Sequence, residues 1–242
     1  MKSRQISHRG MKMSYEIERL SLGGIGNFNC YLIKTDEGFV LIDTGVSRLR
    51  GTLEELFETA GCAAGNLKLI ILTNGTMDAM GNAAFVRQKY GSQIAMHSED
   101  LKMVEDGEFP QRQFKSKFPE VVYKLLVRRI GKKMTASLTR FHPDLFVEDG
   151  FDLSEFGLPA HILHTPGFTP GSICILFDDG TLISGNTIIN QGKSFTTPFV
   201  LTTYEALGKS IDRLKSMKLQ TIYPGMGNPL TIAEFQEGYM PQ

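Results

Sequence analysis

The chain has 242 residues with 26 basic and 26 acidic side chains, so its formal net charge is zero. A chain of this length can bury a full core, and an α/β fold of this size commonly forms one domain, so 1–242 is expected to be a single domain. The charge balance gives no overall pull toward nucleic acid or an anionic membrane, and no stretch approaches the about 20 apolar residues that span a bilayer.

Residues 1–19 mix charges with polar groups and hold no apolar run, which excludes a signal peptide; 1–13 are expected to be disordered. Gly24-Ile25-Gly26 is similar to the start of a dinucleotide fingerprint, but it precedes a strand and lacks the third glycine, so it reads as a turn. Short apolar runs bounded by turn residues then predict strands at Cys30–Ile33 and Phe39–Ile42, a helix over Leu49–Ala60, and a strand over Leu67–Leu72. A helix over Ala83–Tyr90 and a strand over Gln93–His97 follow. Further on come strands at Ala160–His164, Ser172–Phe177 and Thr181–Ser184, a helix over Tyr204–Met217, and a strand at Thr221–Tyr223. In that last helix Leu207, Ile211 and Leu214 recur on one face. Strands alternating with helices place the helices outside sheets.

Residues 101–149 interrupt the alternation. Phe118, Val121, Val122, Leu125, Leu126 and Ile130 trace an apolar helical stripe, and Lys115, Lys117, Lys124, Arg128, Arg129, Lys132 and Lys133 are interleaved with it. The plain reading is a solvated surface helix. The alternatives are a basic lid over an anionic ligand, or a surface for a membrane or partner. Cys30, Cys62 and Cys174 lie far apart with no Cys-x-x-Cys pair, which argues against a disulfide framework and for a reducing, cytoplasmic compartment.

The motifs point to a family. Leu41-Ile42-Asp43-Thr44-Gly45 reads as a strand and turn. Ile70-Ile71-Leu72-Thr73-Asn74-Gly75-Thr76-Met77-Asp78-Ala79 follows an apolar strand in the frame of His-x-His-x-Asp-His. His164-Thr165-Pro166-Gly167-Phe168-Thr169-Pro170-Gly171-Ser172 fits His-Thr-Pro-Gly-His-Thr-Pro-Gly-Ser. Ile183-Ser184-Gly185-Asn186-Thr187 and Tyr223-Pro224-Gly225-Met226-Gly227 fit two further segments. In this order and spacing the set resembles the metallo-β-lactamase superfamily. The resemblance implies an α/β (α+β), four-layer αββα sandwich with its site in loops at one edge, and a helical insert near 101–149.

The same resemblance locates the family's metal ligands, and most are replaced. Asn74, Thr76 and Ala79 stand at histidine positions, as do Phe168 and Met226. Asn186 stands at the bridging aspartate, and Asp78 alone is retained. A catalytic zinc takes about three imidazole or carboxylate ligands. Here a neutral amide, a hydroxyl, a methyl, a phenyl ring and a soft thioether replace them. The expectation is therefore no metal and no cofactor. Asp to Asn at the bridging position is nearly isosteric and removes a charge that would otherwise be buried unpaired.

Asn74, Thr76, Asp78, Ala79, Phe168, Asn186 and Met226 are the expected lining of a ligand pocket. Asp78 is the best catalytic candidate, as general base or ligand-binding carboxylate. Its structural alternative is to cap the helix starting near Met80 or to bond nearby backbone amides. Asp43 is expected to secure its own turn through an Asx-type bond. His164 and His97 read as structural, and Cys174 as a buried inert thiol.

Three functions follow. The first is a metal-free, non-catalytic protein that binds a small molecule or a partner, the ligand being a small anionic metabolite. The second is a hydrolase of a thioester, lactone or phosphoester working without metal. The third is a weak metal hydrolase using Asp78 with unexpected ligands such as His97. No nucleic-acid or membrane partner is expected; a homodimer is allowed.

Overall fold

A computed structural model describes residues 14–21, 28–108, 113–114, 139–190, 195–196 and 200–238. The strands are β1 (Tyr15–Ser21), β2 (Asn29–Thr35), β3 (Gly38–Ile42), β4 (Leu67–Ile71), β5 (Gln93–Met96), β6 (Gln113–Phe114), β7 (Leu145–Phe146), β8 (Ala160–His164), β9 (Ile173–Phe177), β10 (Thr181–Asn190), β11 (Phe195–Thr196), β12 (Val200–Leu201), β13 (Thr221–Met226) and β14 (Leu230–Thr231). The helices are α1 (Arg50–Ala60), α2 (Met77–Met80), α3 (Ala83–Tyr90), α4 (Leu101–Glu105), α5 (Tyr204–Lys215) and α6 (Ile232–Glu237).

One sheet runs β1-β2-β3-β4-β5-β7 and the other β14-β13-β10-β9-β8, with β11 paired to β10; β12 pairs separately with β6. Side-chain alternation along the strands sorts the core into three layers. Cys30, Leu32 and Leu41 face α1 and α3, packing with Leu53, Phe57 and Val86. Tyr31, Ile33 and Ile42 face the other sheet, packing with Ile162, Ile175 and Phe177. Leu182 and Ile222 face α5 and pack with Leu207, Ile211 and Leu214. Helix, sheet, sheet, helix is the αββα sandwich that the motifs imply. α1 stops where Gly61 adopts the left-handed conformation at φ 77° and its N–H caps the carbonyls of Phe57 and Glu58.

Several elements differ from the sequence reading; β7, β14 and α6 were not predicted, and three strands are instructive. β1 was not expected, because its charged residues hide the inward Tyr15 and Ile17. β10 runs through Gly185 to Asn190 rather than stopping at Ser184; Gly185 sits at φ 49° within a register shift, a bulge rather than an end. β13 continues through Pro224 to Met226. Its pairing with β14 is confined to Thr221 and Ile222, so the N–H that proline lacks is not needed on that side.

The expected disorder at 1–13, the Gly24–Gly26 turn and the basic stripe from Lys115 to Lys133 lie outside the described residues. Among the described residues, 101–149 contributes helix only as α4, and no helix is long and apolar enough to cross a membrane. All three cysteines are buried free thiols.

Candidate functional site

The parallel strands β3 and β4 end side by side, and the loops leaving them carry the first half of the site. Asp43 follows β3 at φ 59°, a conformation that non-glycine residues rarely adopt. Its carboxylate reaches across to the end of β4, accepting the Thr73 N–H at 2.8 Å and the Thr73 hydroxyl at 2.7 Å. This corrects the expected bond within its own turn: the positive φ aims Asp43 at a residue 30 positions away. Burial pushes its carboxyl up to about 7, against the two bonds from Thr73.

From Thr73 a chain of side-chain bonds runs on. The Asn74 amide donates to Thr73 Oγ1 at 3.0 Å, and Asn74 Oδ1 accepts the Thr76 N–H at 3.0 Å. The Thr76 hydroxyl lies 2.5 Å from Asn74 Oδ1 and 2.6 Å from Asp78 Oδ1, so its single proton is faced by two acceptors. The Asn186 amide closes the chain by donating to Asp78 Oδ2 at 2.6 Å. Asn74, Thr76 and Asn186 are buried, and Asp78 is half-buried.

Asn186 is delivered by the bulge in β10. A Cβ on Gly185 would lie 2.6 Å from Thr73 Cβ, so only glycine lets β10 approach the β4 loop this closely. The expected capping role of Asp78 is not seen. Thr76 is the residue preceding α2, no side chain caps that helix, and Asp78 sits inside its first turn. Both carboxylate oxygens are spent on side chains instead.

The remaining expected residues are placed by other elements. Ala79 contributes its carbonyl, which accepts both the N–H and the hydroxyl of Thr44 at 2.7 Å. Phe168 is half-buried against the Leu207–Ile211 layer, and its carbonyl accepts from Thr202. Met226 ends β13, opposite Ile189 and bridged to Phe28. The hydrogen-bonded chain thus unites Asn74, Thr76, Asp78 and Asn186, while Phe168 and Met226 are held from the second sheet. A groove of ≈ 610 Å³ lies elsewhere, along α1, lined by Glu54, Glu58, Cys62, Lys89 and Tyr90 among others, and includes none of these residues.

Sequence reasoning missed Asp100, which has no exposed surface. Its carboxylate accepts the Gly75 N–H at 2.8 Å, the Thr169 hydroxyl at 2.6 Å and the Gly171 N–H at 2.8 Å. It therefore ties the β4 loop to the loop that carries Phe168. Burial raises its carboxyl above the usual range, and these bonds oppose that. Nothing in Ser98-Glu99-Asp100 sets it apart from a solvated turn, because its partners are distant in sequence. The rings of His97 and His164 stack 3.9 Å apart. Among the described residues, the group whose spacing suits a metal ion is His97, Glu99 and His164, without Asp78.

The chain matches the metallo-beta-lactamase superfamily model over residues 23–226. It is 31% identical over 211 residues to the hydroxyacylglutathione hydrolase GloC of Haemophilus influenzae, covering 85% of this chain and 88% of that protein. Among solved structures, a metallo-beta-lactamase family protein of Thermus thermophilus, TTHA1429, superimposes with a TM-score of 0.72 at 20% identity, covering 92% of this chain and 77% of that one. The structure of TTHA1623 in a di-iron-bound form superimposes with a TM-score of 0.62 at 26% identity, covering 87% of this chain and 93% of that one. With its motifs in order, its αββα layers and a family match over most of its length, the chain belongs to the metallo-β-lactamase superfamily.

Proposed function

We propose that this member of a hydrolase superfamily works without metal at the family's centre, as a non-catalytic protein that binds a small molecule. The observation that carries the reading is the direct bond from the Asn186 amide to Asp78 Oδ2 at 2.6 Å. By the family resemblance both positions belong to metal ligands, and here a neutral amide stands at one of them and bonds the carboxylate at the other. The donor set agrees. Asn74 Oδ1 accepts the N–H and the hydroxyl of Thr76, Thr76 offers only a neutral hydroxyl, Ala79 and Phe168 have no donor atom, and Met226 offers a thioether, which suits zinc poorly. A dinuclear centre does not fit these residues.

The ligand is proposed to be a small carboxylate- or phosphate-bearing metabolite. The amides of Asn74 and Asn186 each keep a second N–H beyond the bond described, and Phe168 and Met226 add apolar surface. A thermal-shift screen of anionic metabolites at low and high salt tests this. Hits should stabilise the protein, weaken with salt, and shift when Phe168→His and Asn186→Asp are introduced. Absence of any stabilising anion, or hits indifferent to both substitutions, would overturn the ligand assignment. Iron or zinc bound stoichiometrically and lost on Asp78→Asn would overturn the metal-free centre.

A second reading rests on the likeness to the Haemophilus influenzae protein. It is a hydrolase that uses the same loops on a thioester or related ester without metal, with Asp78 as general base. Turnover that survives a strong chelator and disappears in Asp78→Asn separates it from the first reading.

A further inference from the structure

The chain carries a second arrangement of metal-binding side chains that owes nothing to the family's centre. His97 follows β5 of one sheet and His164 ends β8 of the other, and their rings lie nearly parallel at 11°. His97 Nδ1 accepts the Glu99 N–H at 3.2 Å, and His97 Nε2 faces a Glu148 carboxylate oxygen at 3.2 Å. His164 Nε2 lies 2.8 Å from the Pro170 carbonyl and 3.9 Å from a Glu99 carboxylate oxygen. One ligand atom from each of His97, Glu99 and His164 lies within 4.8 Å of the others.

We propose that His97, His164 and Glu99, with Glu148 at hand, bind a divalent transition-metal ion of the zinc type. Two imidazoles with one or two carboxylates form the donor set such ions take, at about 2.0–2.2 Å from each donor. The accessibility runs the right way. The His97 side chain is 4% exposed and that of His164 23%, while those of Glu99 and Glu148 are 53% and 67% exposed. An ion arrives past two exposed carboxylates and meets two rings held by separate sheets.

Binding requires local rearrangement. Parallel rings cannot aim both lone pairs at one point, so the stack must tilt open, His164 releasing Pro170 and His97 releasing Glu148. A metal on Nε2 of His97 moves the ring proton to Nδ1 with no net proton change, at the expense of the bond from the Glu99 N–H. The affinity is accordingly modest, suited to a structural or regulatory ion. Its reach is specific. His164 leads into the Thr165–Ser172 loop that carries Phe168, and Glu99 precedes Asp100, which ties that loop to Gly75. An ion here stiffens both loops around Asp78.

The test titrates zinc into tag-free, chelator-treated full-length protein in competition with a chromophoric chelator. One zinc per chain is expected. His164→Gln and Glu99→Gln should each weaken it by about tenfold or more, and Asp78→Asn should leave it unchanged. Should His164→Gln fail to fold by circular dichroism, the exposed Glu99→Gln decides. Absence of zinc binding, or an affinity untouched by Glu99→Gln, overturns this site and leaves the metal-free reading of the family centre intact. Zinc lost on Asp78→Asn overturns both.

Discussion

Asp100 and Asp43 are two buried carboxylates that act on the site from behind it, and each gives a separate measurement. Asp100 accepts from Gly75, Thr169 and Gly171 at once. Replacing it with Ala leaves the buried N–H groups of Gly75 and Gly171 unpaired, each costing about 1–3 kcal/mol, while the Thr169 hydroxyl keeps Ser172. Asp100→Ala should therefore lose about 2 kcal/mol or more in urea unfolding, whereas a loss within about 0.5 kcal/mol, the range of a surface change, would contradict its role as a loop tie. Asp43 works through pH. Its folded value of about 7 lies above its ordinary 3.8, so in that window the native state holds a proton that the unfolded chain has released. Its contribution to stability is thus full below about pH 4 and declines as pH rises toward 7. Asp43→Asn removes this term. Denaturation across that range should show wild type losing stability relative to the variant, by about 4 kcal/mol at most; parallel curves would refute the assignment.

At the scale of elements, the bulge in β10 is what brings the two halves of the site together. Gly185 combines a left-handed φ of 49° with close approach to Thr73, so a methyl group there is both strained and crowded. Gly185→Ala should lower stability by about 2 kcal/mol and move Asn186 off Asp78. Thermal unfolding reads the first effect, and the Asn186 side-chain amide resonances read the second. An unchanged melting temperature would mean that β10 can adjust without its glycine. On α5, Leu207, Ile211 and Leu214 are fully buried, as their helical spacing requires. Ile211→Ala should therefore cost about 2–5 kcal/mol, measurable by the same unfolding experiment.

Across the whole molecule, three apolar layers hold the sandwich. Chelator-treated protein should still unfold in one cooperative transition, with the same circular dichroism as untreated protein. Loss of cooperative unfolding on chelation would show that the fold itself depends on metal. Zinc added back should act only through His97 and His164, as a shift in melting temperature that His164→Gln abolishes.

Much of this architecture was legible in the residues. Short apolar runs with alternate faces named most of the strands, and the helical spacing of Leu207, Ile211 and Leu214 placed α5, because local periodicity and burial are properties of contiguous chain. Asp-Thr-Gly, Thr-Pro-Gly and Pro-Gly-Met-Gly in their order marked the family. The partners of the side chains could not be read in that way. Asp43 bonds Thr73, Asn186 bonds Asp78, Asp100 gathers Gly75 with Thr169 and Gly171, and His97 stacks on His164. Every one of these pairs joins residues 25 or more positions apart. Only the packing of one sheet on the other decides whether a carboxylate or an imidazole finds solvent, a backbone amide or another side chain.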